Sequence, residues 1–372
     1  MHGRGGEFAG ASQRRFGAPM KTRLPIRKAI LERRTYEAPA EGRSGKIRLD
    51  FNENTSGCSK AVIRALAKLK AQQFGMYPEY QAPAKRLARH FRVRPEELLL
   101  TNGGDDALRV FFDAFVDPGS RILICEPTFP MYRYYAEIYG ARIDVCRYDA
   151  HMRFPLRDVL AALRKEPRVF FLANPNNPTG TLVSQGDLRG ILRAAPRTAV
   201  VLDEAYADFS GFTAIPWIRQ YPQLFIARTF SKAAGLAALR LGAVIAQEKS
   251  LSLVRRAMPP YPVNLAALVA AQAALNDGKA MSKYVSSTLQ LRTWLTRELN
   301  TLAITTFPSA GNFVLADFGR RGPSLFAKLE RKGILVRPRT HDLGPGFVRI
   351  TVGTRAEMET LLREIKRQWE KR

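Results

Sequence analysis

The order of apolar and polar residues predicts short strands that alternate with helices over most of the first 260 residues. Several of the apolar runs are continuous, which is typical of strands covered on both faces. The candidate strands are EELLLT (96–101), RILICE (121–126), VFFLAN (169–174), AVVLDEAY (199–206), LFIART (224–229) and LGAVIA (241–246). Strands and helices that alternate in this way indicate an α/β domain with a mainly parallel sheet covered by helices.

The pattern changes near Asn264, where a long helical stretch begins. Three further strand candidates follow it, and an amphipathic pattern predicts a last helix that runs to Arg372. This mixture predicts a smaller α+β domain. We therefore divide the chain into an N-terminal arm (1–45), a large domain (46–263) whose first part can join the small domain, and a small C-terminal domain (264–372).

The charge of the chain is strongly positive, with 59 Lys and Arg against 33 Asp and Glu, a formal net charge of +26. Such a surface attracts phosphorylated metabolites, nucleic acid or acidic membranes. The basic residues are scattered, however, and no run of five or six occurs. Scattered charge favours a solvated basic surface over a nucleic-acid footprint.

Cysteine and histidine usage gives no sign of a metal site or a disulfide framework. The three cysteines form no CxxC pair, and the four histidines match no metal-ligand spacing. No apolar run is long enough to cross a bilayer, and the N-terminus lacks the apolar core of a secretory signal. We expect a cytoplasmic protein without a metal and without a membrane partner.

The first segment with candidate chemistry is the turn TNGGDD (101–106), between a strand and a helix. Glycines let the backbone approach a ligand closely, and the free N–H groups at a helix start bind phosphate. The alternative is an ordinary helix start that is capped by Asp105 or Asp106.

Three more segments follow predicted strands. The loop NPNNPTG (174–180) is rigid and lies where open α/β sheets bind ligands. Asp203 ends an apolar strand, where a carboxylate needs a cation or a donor unless it only caps the junction. Lys232 comes just after a strand, close to hydroxyl groups and to Arg240, and a partly buried amine there can act as a nucleophile. A surface lysine is the alternative.

In this order and spacing the segments resemble the pyridoxal-phosphate-dependent aminotransferases of fold type I. Within that group the chain looks most like the histidinol-phosphate aminotransferases. The motifs that carry the resemblance are LDFNEN (49–54), YPEY (77–80), TNGGDDAL (101–108), EPTFPMY (126–132), NPNNPTG (174–180), DEAY (203–206), TFSKAAGLAALRLG (229–242), GNFVL (311–315) and VRITVGT (348–354).

The resemblance implies that pyridoxal 5'-phosphate is the cofactor and that Lys232 carries it covalently. It implies that Asp203 pairs with the pyridine nitrogen, because a carboxylate there favours the protonated ring. Asn174 and Tyr206 would hydrogen-bond the phenolic oxygen of the ring. Tyr132 would stack on the ring face.

The same resemblance implies a site for the cofactor phosphate and a homodimer. Tyr77 would reach the phosphate from the neighbouring subunit. The residues implied to hold the phosphate within one chain are Gly104, Asp105, Thr229, Ser231 and Arg240.

For the substrates, the resemblance implies that Arg349 holds a carboxylate and that Arg337 and Asn52 complete the site. Arg339 could serve in place of Arg337, because the stretch that follows, PRTHDLGPGF, aligns irregularly. Arginine suits these positions because its planar guanidinium binds carboxylate and phosphate through two parallel hydrogen bonds.

The implied reaction transfers an amino group from histidinol phosphate to 2-oxoglutarate and yields imidazole-acetol phosphate and glutamate. Two other activities remain open, an O-phosphothreonine decarboxylase and another amino-acid aminotransferase, because the motifs report the cofactor rather than the substrate. A nucleic-acid-binding regulator with an aminotransferase-like domain is disfavoured. Only about 45 residues precede the matched region, and they show no helix-turn-helix pattern.

Overall fold

A computed structural model describes residues 24–31 and 41–369 of the chain. Most of the predicted arm (1–45) and the last three residues of the predicted C-terminal helix lie outside these ranges. The strands in the described residues are β1 (Ile47–Leu49), β2 (Leu98–Thr101), β3 (Arg121–Glu126), β4 (Arg142–Arg147), β5 (Val169–Ala173), β6 (Ala199–Asp203), β7 (Leu224–Thr229), β8 (Gly242–Ala246), β9 (Thr305–Phe307), β10 (Phe313–Asp317), β11 (Ile334–Pro338) and β12 (Phe347–Thr351).

The helices pack around these strands. In the described residues they are α1 (Lys28–Leu31), α2 (Lys60–Leu66), α3 (Ala71–Phe74), α4 (Gln81–Phe91), α5 (Gly103–Phe115), α6 (Met131–Ile138), α7 (Leu156–Leu163), α8 (Gln185–Ala194), α9 (Ala207–Ser210), α10 (Glu248–Arg255), α11 (Leu265–Asn276), α12 (Gly278–Thr301), α13 (Gly322–Arg331) and α14 (Arg355–Trp369). None of them combines the length and the apolar composition that a membrane crossing needs.

The larger sheet has the strand order β2-β8-β7-β6-β5-β3-β4 within the described residues. Neighbouring strands from β7 to β4 are parallel, and β8 runs antiparallel to both β2 and β7. The predicted α/β fold with a mainly parallel sheet is therefore confirmed. The six predicted strands match β2, β3, β5, β6, β7 and β8; β4 was not predicted, because this edge strand has charged residues at both ends.

Both faces of this sheet are buried, as the continuous apolar runs predicted. In β5, Phe170 and Leu172 pack into one hydrophobic cluster, whereas Val169, Phe171 and Ala173 pack into another on the opposite face. Side chains alternate along a strand, so a fully apolar strand supplies two cores at once. Helices α4, α7, α8 and α11 cover the first face, and α5, α6 and α10 cover the second.

The smaller sheet has the order β1-β11-β12-β10-β9 and is covered by α12, α13 and α14, which gives the predicted α+β arrangement. Its first strand, β1, pairs in parallel with β11. The segment at the start of the predicted large domain thus joins the smaller sheet, the arrangement that the sequence analysis left open.

The position of the boundary between the domains remains a prediction, but the packing favours a later one than residue 264. Ala267, Leu268 and Ala271 of α11 lie in the core of the larger sheet, against α2 and α4. Leu291 and Leu295, in the second half of α12, pack into the core of the smaller sheet. We propose that the large domain extends through α11 and that α12 connects the two.

Candidate active site

A cavity of about 750 Å³ lies at the carboxyl ends of the parallel strands and is lined by residues of both sheets. Strands β5, β6 and β7 end at this edge, and the first turn of α5 opens on it. Residues of the smaller domain, at β11 and β12, close the other side. Open α/β sheets bind ligands at this edge because the loops that follow the strands converge there. Among the site residues predicted from sequence, those that line the cavity are Gly104, Asp105, Asp203, Tyr206, Thr229, Ser231, Lys232, Arg240, Arg337 and Arg349.

Lys232 points its amine into this cavity from the loop after β7. The side chain is half-buried, and Nζ donates a hydrogen bond to the carbonyl oxygen of Phe51 at 2.8 Å. Burial lowers the pKa of the amine from 10.5 to about 8, and the positive charge of Arg349 contributes in the same direction. A lowered pKa increases the fraction of neutral, nucleophilic amine near neutral pH.

Asp203 ends β6 beside the lysine. Its carboxylate accepts hydrogen bonds from the hydroxyl of Tyr132 at 2.8 Å and from the backbone N–H of Ala205 at 3.0 Å. Burial raises the pKa of this carboxyl, and those two donors act in the opposite direction. A carboxylate in such a place pairs readily with a cationic ring nitrogen.

The position of Tyr132 differs from the expectation that it stacks on a cofactor ring. Its side chain is fully buried, its ring stacks on Phe171 with centroids 5.4 Å apart, and its hydroxyl is held by Asp203. Phe129 lines the cavity instead, with its ring at right angles to that of Tyr132. The first turn of α6 directs Tyr132 into the core, so Phe129, just before the helix, is the aromatic side chain available to a ligand.

Tyr206 and Asn52 form a hydrogen-bonded pair at the wall of the cavity. Asn52 Nδ2 donates to the Tyr206 hydroxyl oxygen at 2.8 Å, and Asn52 Oδ1 accepts from the hydroxyl of Thr351 at 3.1 Å. Asn52 is fully buried and does not line the cavity. Asn52 thus contacts Tyr206 rather than the cavity in this structure, and its predicted contact with a substrate remains a prediction. Burial raises the pKa of the Tyr206 hydroxyl.

Asn174 is buried between two residues that line the cavity, Ala173 and Pro175. Its Oδ1 accepts from the backbone N–H of Val183 at 2.8 Å, but its Nδ2 has no hydrogen-bond partner among the described residues. Because buried polar groups are rarely left unpaired, this amide is poised for a ligand.

A cradle for an anion forms where α5 begins. The N-cap of this helix is Asn102, whereas the sequence alternative placed the cap at Asp105 or Asp106. Both aspartates lie in the first turn, and Asp106 accepts a hydrogen bond from the backbone N–H of Asn102 at 2.9 Å. Asp105 lines the cavity and pairs with Arg240 at 3.1 Å. A Cβ at Gly103 would lie 2.5 Å from the guanidinium of Arg240, so only glycine allows this approach.

The hydroxyl groups of Thr229 and Ser231 complete the cradle. Thr229 Oγ1 lies 3.0 Å from Ser231 Oγ and accepts the backbone N–H of Ser231 at 3.2 Å. Gly104 packs near Thr229, since a Cβ there would lie 3.7 Å from Thr229 Cβ. Free N–H groups of a helix, two hydroxyls and a guanidinium together suit a phosphate group.

Three arginines of the smaller domain line the opposite wall. Arg349 is buried and donates to Asn177 Oδ1 at 2.6 Å and to the carbonyl oxygen of Asp50, while its Nε has no partner among the described residues. Burial lowers the pKa of Arg349 to about 10. Arg337 and Arg339 lie beside it on the cavity wall. Sequence analysis missed Asn177, although it belongs to the NPNNPTG motif.

Behind the cavity, a buried ion-pair network links the ends of β6 and β7. Glu204 is fully buried and accepts hydrogen bonds from the hydroxyl of Thr213 at 2.6 Å and from the backbone N–H of Ala214 at 2.7 Å. Arg228 lies 3.4 Å from Glu204 and 2.8 Å from Asp208. The network fixes the two strand ends that carry Asp203 and Lys232. The sequence analysis did not predict this network, because Glu204 and Arg228 are 24 positions apart and nothing in the sequence pattern indicates that they contact each other.

Tyr77 lies away from the cavity of its own chain. It is 76% exposed and stacks on Tyr261 with ring centroids 4.2 Å apart. Its predicted contact with the cofactor of a neighbouring subunit remains a prediction.

The residues that meet in the cavity fit pyridoxal phosphate. This cofactor requires an amine for its aldehyde, an acid partner for its ring nitrogen, a donor for its phenolic oxygen and an anion site for its phosphate. Lys232, Asp203, the unpaired amide of Asn174 and the cradle at the start of α5 supply one group for each requirement.

Comparison with known proteins agrees with this chemistry. Residues 44–365 match the family model described as aminotransferase class I and II. A histidinol-phosphate aminotransferase from Geobacillus sp. (strain WCH70) is 37% identical over 324 residues, 85% of this chain and 88% of the relative. One from Symbiobacterium thermophilum is 35% identical over 325 residues, 86% and 90% of the two chains.

Among solved structures, the histidinol-phosphate aminotransferase from Sinorhizobium meliloti, in complex with pyridoxal-5'-phosphate, is similar to this chain with a TM-score of 0.81. The two are 25% identical, and the similarity covers 87% of this chain and 90% of that one. The match spans both sheets and the cavity between them, and the chain belongs to the class I and II aminotransferases.

Proposed function

We propose that the protein is a pyridoxal-phosphate-dependent aminotransferase that moves the amino group of histidinol phosphate to 2-oxoglutarate. The observation that carries the proposal is the amine of Lys232, with a pKa lowered to about 8, in one cavity with Asp203, a phosphate cradle and three arginines. The names of the related aminotransferases support histidinol phosphate as the donor.

In this proposal each group of the cofactor has a protein partner. Lys232 holds the aldehyde carbon, Asp203 the ring nitrogen, and Asn174 and Tyr206 the phenolic oxygen. Phe129 covers one face of the ring. The phosphate lies among Gly104, Asp105, Thr229, Ser231 and Arg240, in the cradle at the start of α5.

When bound, the cofactor supplies an aldehyde for the substrate amine and a cationic ring that withdraws the electrons of the bond to the departing proton. Asp203 keeps that ring protonated by its negative charge. Lys232 would hold the cofactor through its amine and, when that amine is free, would accept the substrate proton as a base and give it up again as an acid. The lowered pKa of Lys232 suits both steps, because a group whose pKa lies close to the working pH both accepts and gives up a proton readily.

Arg349 orients the carboxylate of 2-oxoglutarate or glutamate. Its guanidinium is fixed by Asn177 and by the carbonyl of Asp50, and its Nε remains to bind an anion. A buried guanidinium with a free donor binds a carboxylate more strongly than a solvated one would. Arg337 would bind the phosphate group of histidinol phosphate.

We also propose that the working unit is a cytoplasmic homodimer. Phe74, Met76, Tyr77 and Tyr261 are each more than half exposed, and exposed aromatic and methionine side chains are enriched at protein interfaces. The second subunit would bring its Tyr77 to the cofactor phosphate of the first. Sedimentation of the purified protein at several concentrations tests this, and a monomer that is fully active contradicts it.

The reaction is tested with purified protein, pyridoxal phosphate, histidinol phosphate and 2-oxoglutarate, with glutamate as the measured product. Reduction of the loaded protein with borohydride, followed by peptide mass spectrometry, should place the cofactor label on Lys232 and leave the exposed Lys283 unlabelled. Absence of a label on Lys232 would refute the cofactor assignment. Carbon dioxide release from O-phosphothreonine, without glutamate formation, would establish the decarboxylase alternative instead.

A further inference from the structure

The cavity wall holds one more guanidinium than a carboxylate site and a single phosphate contact require. Arg349 is assigned to a carboxylate of 2-oxoglutarate and Arg337 to the phosphate of histidinol phosphate, and Arg339 lines the same cavity. Backbone contacts hold this residue in the loop: Arg339 N–H donates to the carbonyl of Phe347 at 2.8 Å, and its carbonyl accepts from Leu343 N–H at 2.9 Å. These two backbone hydrogen bonds do not depend on the side chain and remain when it is exchanged.

The side chain of Arg339 is only partly used. Its guanidinium is 13% exposed and donates one hydrogen bond to Asp342, three residues ahead on the same loop. Its Nε is buried and has no partner among the described residues. A guanidinium has five N–H donors in a planar fork, so most of the donors remain for a ligand.

The charge pattern indicates which ligand. Arg339 already has a carboxylate, Asp342, as a counter-ion, so a second singly charged group gains little by displacing it. A phosphate monoester carries nearly two negative charges and three acceptor oxygens, and it attracts a guanidinium about twice as strongly at equal distance. The Arg339–Asp342 pair therefore favours a phosphate group over a carboxylate group.

We propose that Arg339, moderated by Asp342, is a specificity-determining residue that binds the phosphate monoester of the amino donor beside Arg337. This inference rests on the proposed function. Arg349 is the less suitable partner for that phosphate, since Asn177 and the carbonyl of Asp50 hold it and it acts on Lys232 electrostatically. The amino donor is accordingly recognised at the end remote from its reacting carbon.

Steady-state kinetics of the holoenzyme with Arg339→Gln tests the proposal, with Arg331→Gln as a control that removes an equal charge from an exposed position at the end of α13. Loss of a charged hydrogen bond to phosphate should raise KM for histidinol phosphate about 10- to 100-fold. KM for 2-oxoglutarate and kcat should change by less than about threefold. Arg349 binds one carboxylate of this acceptor, the other carboxylate is singly charged and gains little from a guanidinium already paired with Asp342, and the proton transfer uses Lys232.

Inorganic phosphate provides a second measurement. It should inhibit the wild-type holoenzyme competitively against histidinol phosphate, and Arg339→Gln should weaken that inhibition by a similar factor. Asp342→Asn should act in the opposite direction and tighten phosphate inhibition, because the guanidinium loses its competing counter-ion.

Equal effects of Arg339→Gln and Arg331→Gln, or an equal rise of KM for both substrates in Arg339→Gln, would overturn the inference and leave the proposed function in place. A wild-type holoenzyme that carries the cofactor on Lys232 but does not turn over histidinol phosphate would overturn both.

Discussion

Replacement of Lys232 by methionine should stabilise the apoprotein, even though it abolishes transamination. Burial lowers the pKa of the amine from 10.5 to about 8, a difference of about 2.5. At 1.36 kcal/mol per pKa unit, the native state loses at most about 3 kcal/mol by keeping this amine charged at neutral pH. Methionine removes that cost and gives up the hydrogen bond to Phe51, about 1 kcal/mol, so the expected net gain is about 2 kcal/mol.

The gain should depend on pH in a defined direction. Below about pH 8 the amine is charged in both the native and the unfolded chain, and the whole cost is present. Between about pH 8 and 10.5 the unfolded chain binds the proton more tightly than the native chain, so the stability of the wild type rises with pH. Above pH 10.5 the amine is neutral in both states, and only the lost hydrogen bond should distinguish the variant.

Urea denaturation of the cofactor-free proteins between pH 7 and 10.5 measures this difference. Lys283→Met, at an exposed position of α12, is the matched control and should change the free energy of unfolding little at any pH. If Lys232→Met is no more stable than the wild type at pH 7, or if its advantage grows with pH, the amine is not desolvated in the native state.

Three further changes test other parts of the site. Asp203→Asn should lower kcat about 100-fold or more while circular dichroism stays unchanged, because the ring nitrogen loses its charged partner; a near-normal kcat contradicts the role. Gly103→Ala should weaken cofactor binding about tenfold in an absorbance titration, because its φ of +81° is strained for alanine and its Cβ would meet Arg240. Arg228→Met should lower the free energy of unfolding by about 3–5 kcal/mol in urea, because it leaves the buried Glu204 without its cation; unchanged stability in that variant would show that the network is not a stabilising one.

The convergence of several candidate site residues in one cavity could be predicted from sequence, because they lie in short segments that follow parallel strands, while their proposed roles toward the cofactor came from the family resemblance. Asp203, Thr229 and Lys232 each end a strand or follow one closely, and the carboxyl ends of parallel strands meet at one edge. The strand pattern therefore brings these residues together without any knowledge of the packing. Continuous apolar runs, as in β5, likewise predicted a sheet covered on both faces.

Residues whose role depends on distant contacts were not predictable in this way. Asn52 contacts Tyr206 across 154 positions, and Asn177 contacts Arg349 across 172. Tyr132 shows a similar difficulty over a short distance. It lies three residues after Phe129, yet its side chain is in the core whereas that of Phe129 lines the cavity. The direction of a side chain at the start of a helix depends on the packing of that helix, which the sequence pattern alone does not specify.

The arrangement of charge around Lys232 explains how one lysine can serve as both nucleophile and base. After burial, the positive charge of Arg349 is the largest influence that lowers the pKa of the amine. A carboxylate bound to Arg349 would offset that charge, so the pKa of Lys232 would rise when the substrate is in place. In the empty cavity a larger fraction of the amine is neutral and nucleophilic near neutral pH than for an ordinary lysine, and a carboxylate on Arg349 would make the amine a stronger base. In the proposed reaction, Arg349 would therefore orient the carboxylate and also tune the basicity of Lys232.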